Sequence, residues 1–208
     1  RFSSQLEEME TVLPHLFSTS ELLDGWEHNR AYWALGTGNF SSLPVAYPWL
    51  INKGAINVPA GLMMAFDDHT VWTVMRGASG YTVIAAGRPA KEDAQNSLPD
   101  FRGEREGYEA VWSHNLEIRP RSMLQVGDTL VFGGMAKEQD GNPYSAAAQE
   151  NGNHELGRLQ ILSSKDGSIL CERTIGSPPV WDGMAVAEDG LFIPCVDGSV
   201  VSFGQSGR

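Results

Sequence analysis

Cysteine, basic charge, long apolar runs and helical periodicity are all scarce in this chain, and each scarcity excludes a class of protein. Only two cysteines, Cys171 and Cys195, occur in 208 residues, too few for a disulfide-stapled scaffold or for a zinc site built mainly on thiolates. One bridge between them is open to the chain; the plainer reading makes both of them small buried side chains on strands. Lys and Arg number 15 against 26 Asp and Glu, a formal charge of −11. That excess repels phosphate backbones and anionic lipid surfaces, so no nucleic-acid partner is expected. No apolar run approaches the roughly 20 residues of a membrane-crossing helix, because Asp, Gly, Arg or Lys interrupts each one, and no membrane-spanning segment is expected. The chain opens at Arg1 without Met, basic n-region or apolar stretch, so any targeting signal is expected to have been removed or never included.

What is present is an ordinary globular composition, 41% hydrophobic and 20% charged, punctuated by 23 Gly and 11 Pro. These residues separate short apolar runs at nearly regular intervals, the pattern of an all-β protein with many turns. Thirteen candidate strands follow: Leu13–Ser18, Ala31–Gly36, Gly61–Phe66, Thr70–Met75, Tyr81–Ala86, Glu109–His114, Ser122–Val126, Thr129–Gly134, Gly157–Ser163, Ser168–Thr174, Gly183–Ala187, Leu191–Val196 and Val200–Phe203. Between them stand Asp67-Asp68, Gly127-Asp128, Lys165-Asp166-Gly167, Glu188-Asp189-Gly190 and Asp197-Gly198, and Asp-Gly between two β-runs is a strong hairpin signal. The last quarter of the chain therefore reads as an antiparallel meander.

A degenerate internal repeat supports radial repetition of such sheets. Val126 to Gly133 and Ala187 to Pro194 both run from an apolar strand through an acidic turn into a second apolar strand, and Gly61 to Asp67 resembles Gly157 to Ser163. The offsets differ, as if blade-sized units were interrupted by insertions at 39–58, 88–107 and 137–155. The expected fold is all-β, a partial β-propeller of about three four-stranded antiparallel blades with long loop insertions.

The run Gly157-Arg158-Leu159-Gln160-Ile161-Leu162-Ser163-Ser164-Lys165-Asp166-Gly167-Ser168-Ile169-Leu170-Cys171-Glu172 resembles the repeat of the PQQ-like, quinoprotein-type β-propellers. Gly167 sits at that repeat's turn glycine, Ser163 replaces its Asp, and Cys171 replaces the Trp that packs between blades. Pro178 to Ala185, then Gly190 to Ile193 and Asp197 to Gly204, look like the closing blade of large PQQ-like proteins of planctomycete-type bacteria. His15-Leu16-Phe17-Ser18, Leu23-Asp24, Arg30-Ala31-Tyr32-Trp33 and Val58-Pro59-Ala60-Gly61 match their upstream segment in order. The resemblance implies that residues 1–208 are the C-terminal part of such a propeller, and that the remaining blades of a parent chain are a partner. A ring closes with roughly four to eight blades.

Each candidate site in the sequence has a structural role as its alternative. Asp24, Trp26, His28, Arg30, Tyr32 and Trp33 form the densest polar-aromatic cluster, suited to a carbohydrate or aromatic ligand by stacking and charge-assisted hydrogen bonds. The structural alternative has Trp33 packing between sheets and Arg30 paired with Asp24, and it is preferred. Arg119 and Arg121 straddle Pro120, where they would face a propeller channel and bind an anion; surface salt bridging is the favoured role in so acidic a chain. Asp182 after Trp181 is expected to tie a turn through backbone N–H groups. His15, His28, His69, His114 and His154 are dispersed, with no His-Glu-x-x-His or Cys-x-x-Cys spacing, so no metal site is expected. Asp140-Gly141-Asn142 opens like a calcium loop but lacks the later ligands. Gly36-Thr37-Gly38 lacks a βαβ context, and Gly77-Ala78-Ser79-Gly80 is no nucleophile elbow. Asn39-Phe40-Ser41 fits a glycosylation acceptor.

No catalytic residue is assigned. The expected function is a non-catalytic propeller scaffold or interaction module of a bacterial envelope protein, periplasmic or at the cell envelope, without a cofactor and with another protein as partner. The alternatives are part of a PQQ-dependent dehydrogenase, in which an Asp base would take the substrate's hydroxyl proton, and a carbohydrate-binding β module. Open strand edges are pairing liabilities. The chain alone is therefore expected to melt broadly or associate in calorimetry, and extension toward its natural N-terminus to sharpen the transition; a cooperative monomeric melt of residues 1–208 would favour the carbohydrate-binding module instead.

Overall fold

The computed structural model describes residues 15–19, 32–36, 59–77, 80–88, 110–136, 156–188 and 190–204. Among them there are fourteen strands and no helix, so none that could cross a membrane. The strands are β1 (His15–Thr19), β2 (Tyr32–Gly36), β3 (Ala60–Gly61), β4 (Met63–Phe66), β5 (Thr70–Gly77), β6 (Gly80–Gly87) and β7 (Ala110–Leu116). There follow β8 (Ile118–Val126), β9 (Thr129–Ala136), β10 (Gly157–Ser163), β11 (Ile169–Ile175), β12 (Ala185–Ala187), β13 (Gly190–Pro194) and β14 (Val200–Gly204).

Four sheets result, of order β1-β2-β3, β4-β5-β6-β7, β11-β10-β9-β8 and β12-β13-β14. In each one, strands consecutive in the chain lie side by side. Such meanders are compatible with the blades of an all-β partial propeller, the expected fold class, with four sheets, two of four strands and two of three, in place of about three four-stranded blades. The chain divides into two compact units, one of Arg1–Val74 with Ala86–Val111 and the other of Met75–Ala85 with Trp112–Arg208. The three insertion stretches lie, apart from Arg88, outside the described residues, as does Asp140-Gly141-Asn142.

Central strands are recognisable by composition. Val71 to Met75 on β5 and Leu130 to Met135 on β9 are buried throughout, because a strand inside its sheet and covered on both faces keeps no solvent side. The outer strand β11, Ile169 to Thr174, stays half-buried or exposed. In the second unit, Val131, Leu159, Ile175, Met184, Ile193 and Cys195 form one buried cluster, with Leu124, Ile161, Leu191 and Val201 packed against it. Residues of both the β8–β11 and the β12–β14 sheets contribute, so this core joins the two; burying each such side chain stabilises by roughly 1.5–3 kcal/mol. Cys171 and Cys195 are both free thiols, one half-buried on β11 and the other inside that core.

Two departures from the expected strands have clear causes. The run Gly61–Phe66 breaks at Leu62: Gly61 pairs with Trp33 of β2, whereas Met63 onward pairs with β5, and the Leu62 N–H donates to the Val74 carbonyl at 2.8 Å. The chain changes sheets at that residue. The strand expected to start at Ser122 starts instead at Ile118, with Pro120 inside it. Proline is tolerated there because β8 is an edge strand of its sheet, with no neighbour needing the missing N–H. Of the two repeat pairs, the first is a repeat of position: the β8–β9 and β12–β13 hairpins close through Val126–Thr129 and Ala187–Gly190. The second is not, since β4 is an edge strand and β10 an inner one.

The register of β8 on β9 shifts between Pro120 and Ser122, a β-bulge with Arg121 as the extra residue. Opposite it lies Gly134, where an added Cβ would overlap the Arg119 carbonyl. Gly134→Ala is therefore expected to destabilise by about 1–3 kcal/mol. Gly87→Ala, with nothing within 4 Å of the new methyl, should leave the urea midpoint nearly unchanged; equal effects of the two would refute the close-approach argument.

Candidate functional site

The expected ligand-binding residues fall into two groups in different units. Asp24, Trp26, His28 and Arg30 lie outside the described residues. Tyr32 and Trp33 begin β2, opposite Thr19 and Ser18 of β1, and Trp33 is half-buried. Arg119 and Arg121 stand on β8 on either side of Pro120, both half-buried rather than freely exposed. The Arg121 guanidinium Nη1 lies 3.5 Å from Met135 Sδ. Its carbonyl accepts the Asp182 N–H at 3.0 Å, and Gly183 N–H closes the turn on the Val180 carbonyl at 3.3 Å. The main chain of Asp182, held at a φ of 52°, ties this turn to β8 through its N–H.

The densest organised geometry is elsewhere, at the turn between β10 and β11. Trp112 is the third residue of β7, as Cys171 is of β11. The Trp112 indole Nε1–H donates to the Ser164 carbonyl at 3.2 Å, and its ring lies over Gly167. A Cβ at Gly167 would come within 2.6 Å of Trp112 Cε3, and its φ of 72° is left-handed. Both facts demand glycine, one for the ring and one for the backbone. The resemblance places Cys171 where its repeat carries a packing Trp; in the structure an indole at the same strand position, Trp112 of β7, lies on the β10–β11 turn. The signal was present in the strand position of Trp112, but not in the segment that matched the repeat best.

The turn that receives the indole is held from within. Asp166 Oδ1 accepts from the Ser168 N–H at 3.0 Å and hydroxyl at 2.7 Å, and Gly167 N–H and Ser163 N–H complete the turn onto the carbonyls of Ser163 and Ser168. The Ser164 N–H donates to the Asp128 carbonyl at 2.9 Å, and Lys165 Nζ reaches Asp128 Oδ2 at 2.5 Å. One turn of the β8–β9 hairpin therefore supports the next. Below it Gln160, fully buried, accepts the Glu117 N–H through Oε1 at 3.2 Å and donates through Nε2 to Glu172 Oε1 at 3.1 Å. That amide links the β7–β8 connection to β10 and β11.

Acidic turns of similar construction recur. Asp197 Oδ1 accepts from the Ser199 N–H at 2.9 Å and hydroxyl at 2.7 Å. In the first unit Asp67 Oδ1 accepts from the N–H groups of His69 and Thr70, each at 2.7 Å. Arg88 donates to the Asp67 carbonyl at 2.9 Å, approaches Asp68 at 3.5 Å and lies over the Phe66 ring at 5.4 Å. Among the described residues no group of three His, Cys, Asp or Glu side chains could hold a metal ion.

No family model and no curated protein matches this sequence. Among solved structures, the chain overlaps the computationally designed Ika8 protein over 85% of its own length and 44% of that chain, at 7% identity and a TM-score of 0.42. It overlaps the designed Ika4 protein over 90% of its length and 98% of that chain, at 7% identity and a TM-score of 0.41. BamB from Moraxella catarrhalis overlaps it over 71% and 50% respectively, at 14% identity and a TM-score of 0.29. The chain thus spans about half the length of the first and the third of these. Superpositions this loose leave the fold to be argued from the chain's own sheets and turns.

Chemically, the β10–β11 turn is a docking socket: a flat glycine platform, a carbonyl acceptor and a preceding strand's indole. Trp112→Ala is expected to lower stability by about 3 kcal/mol, and Trp112→Phe by about 1 kcal/mol for the lost hydrogen bond. Gly167→Ala should cost at least about 1–2 kcal/mol from the left-handed backbone alone. Urea unfolding followed by far-ultraviolet circular dichroism distinguishes these, and a neutral Trp112→Ala would remove the socket from the account.

The carboxyls titrate accordingly. Asp166 is held below the ordinary carboxylate range by the Ser168 N–H, then by the hydroxyls of Ser168 and Ser163. Asp197 is lowered by the Ser199 hydroxyl and N–H. For Asp67, desolvation pushes upward but is outweighed by the N–H groups of His69 and Thr70 and the charges of His69 and Arg88. A carboxyl depressed in the folded state adds stability above its unfolded value of about 4 and loses it as the pH falls through the folded value. Melting temperature should therefore fall below about pH 4, and the double variant Asp166→Ala with Asp197→Ala should show a shallower fall from a lower starting point; an unchanged acid slope would contradict the assignment.

Proposed function

We propose that this chain is a non-catalytic β-propeller module serving as a scaffold for protein interaction on the cell-envelope side of a bacterium, of the PQQ-like repeat type of planctomycete-type bacteria. The observation that carries this reading is the placement of apolar side chains once the seams are packed. On the β12–β14 sheet the register places Phe192 and Val200, 40% and 62% exposed, on one face, opposite the face that carries Ile193 into the core. Neighbouring exposed apolar side chains on one sheet face mark a surface that another chain segment or protein covers. Remaining blades of a parent chain and a second protein are the partners this reading names. Fold alone does not set function, and the proposal rests on that surface and on the sequence resemblance. It assigns no catalytic residue and no cofactor.

Two measurements test it. Sedimentation of the chain at increasing concentration is expected to show association that the Phe192→Lys, Val200→Lys double variant abolishes without moving the melting temperature; association unaffected by both charges would refute this surface as the interface. Dye reduction by the parent protein with added PQQ and calcium is expected to give no turnover, and steady PQQ-dependent turnover would establish the dehydrogenase in place of the scaffold.

A further inference from the structure

We draw no further inference here: the strongest candidate, the outer edge of β14 in the β12–β14 sheet with its exposed Val200 and Phe203, is an apolar strand edge, and nothing in the structure shows what covers it.

Discussion

An antiparallel meander satisfies its own backbone but not its faces, and every other feature of this chain follows from how those faces are covered. In the second unit the cover is made twice. Trp112 lays its indole on the Gly167 turn and anchors it to the Ser164 carbonyl. Val131, Leu159 and Ile175 from one sheet then pack with Ile193 and Cys195 beside the next. The first contact is directional and tolerates no side chain at position 167; the second is an area effect that tolerates substitution of similar volume. The steric demand is thus tight at a turn, Gly167, and inside a strand, Gly134.

Turn-making accounts for part of the acidity. A net charge of −11 invites a search for a cationic partner, yet several of the carboxylates already have an internal task. Asp67, Asp166 and Asp197 each accept a backbone N–H within their own turn, a role open to Asp because its short side chain reaches the amide two residues on. Asp128 and Asp68 meet Lys165 and Arg88. The acidic excess is in part the chemistry of turning a chain many times within a short length.

Strand positions were legible to within a few residues because alternation and Asp-Gly turns are local signals. Where the strands differ from expectation, the cause is a neighbour distant in sequence. Leu62 breaks a run because Val74 takes its N–H, and Pro120 is admitted because β8 has a free edge. The candidate site was less legible. Position 171 could be picked out by its place in a repeat, but the aromatic at the seam is Trp112, 52 residues before the carbonyl it binds, and no local pattern records that distance. Gln160 is similar: an amide in an apolar strand has no evident reason until Glu117 and Glu172 are seen at its two ends.

The sequence by itself determined the class of the fold and the places where it turns, since pleat alternation and left-handed glycine turns depend only on adjacent residues. Its shortage of cysteine, basic charge and long apolar runs likewise set limits on function without any structure. Only the tertiary structure decided which aromatic meets which turn, why Gly134 and Gly167 cannot carry a side chain, and which apolar residues stay exposed on the last sheet. Those outcomes depend on contacts between residues tens of positions apart, brought together by packing that no window of the chain contains.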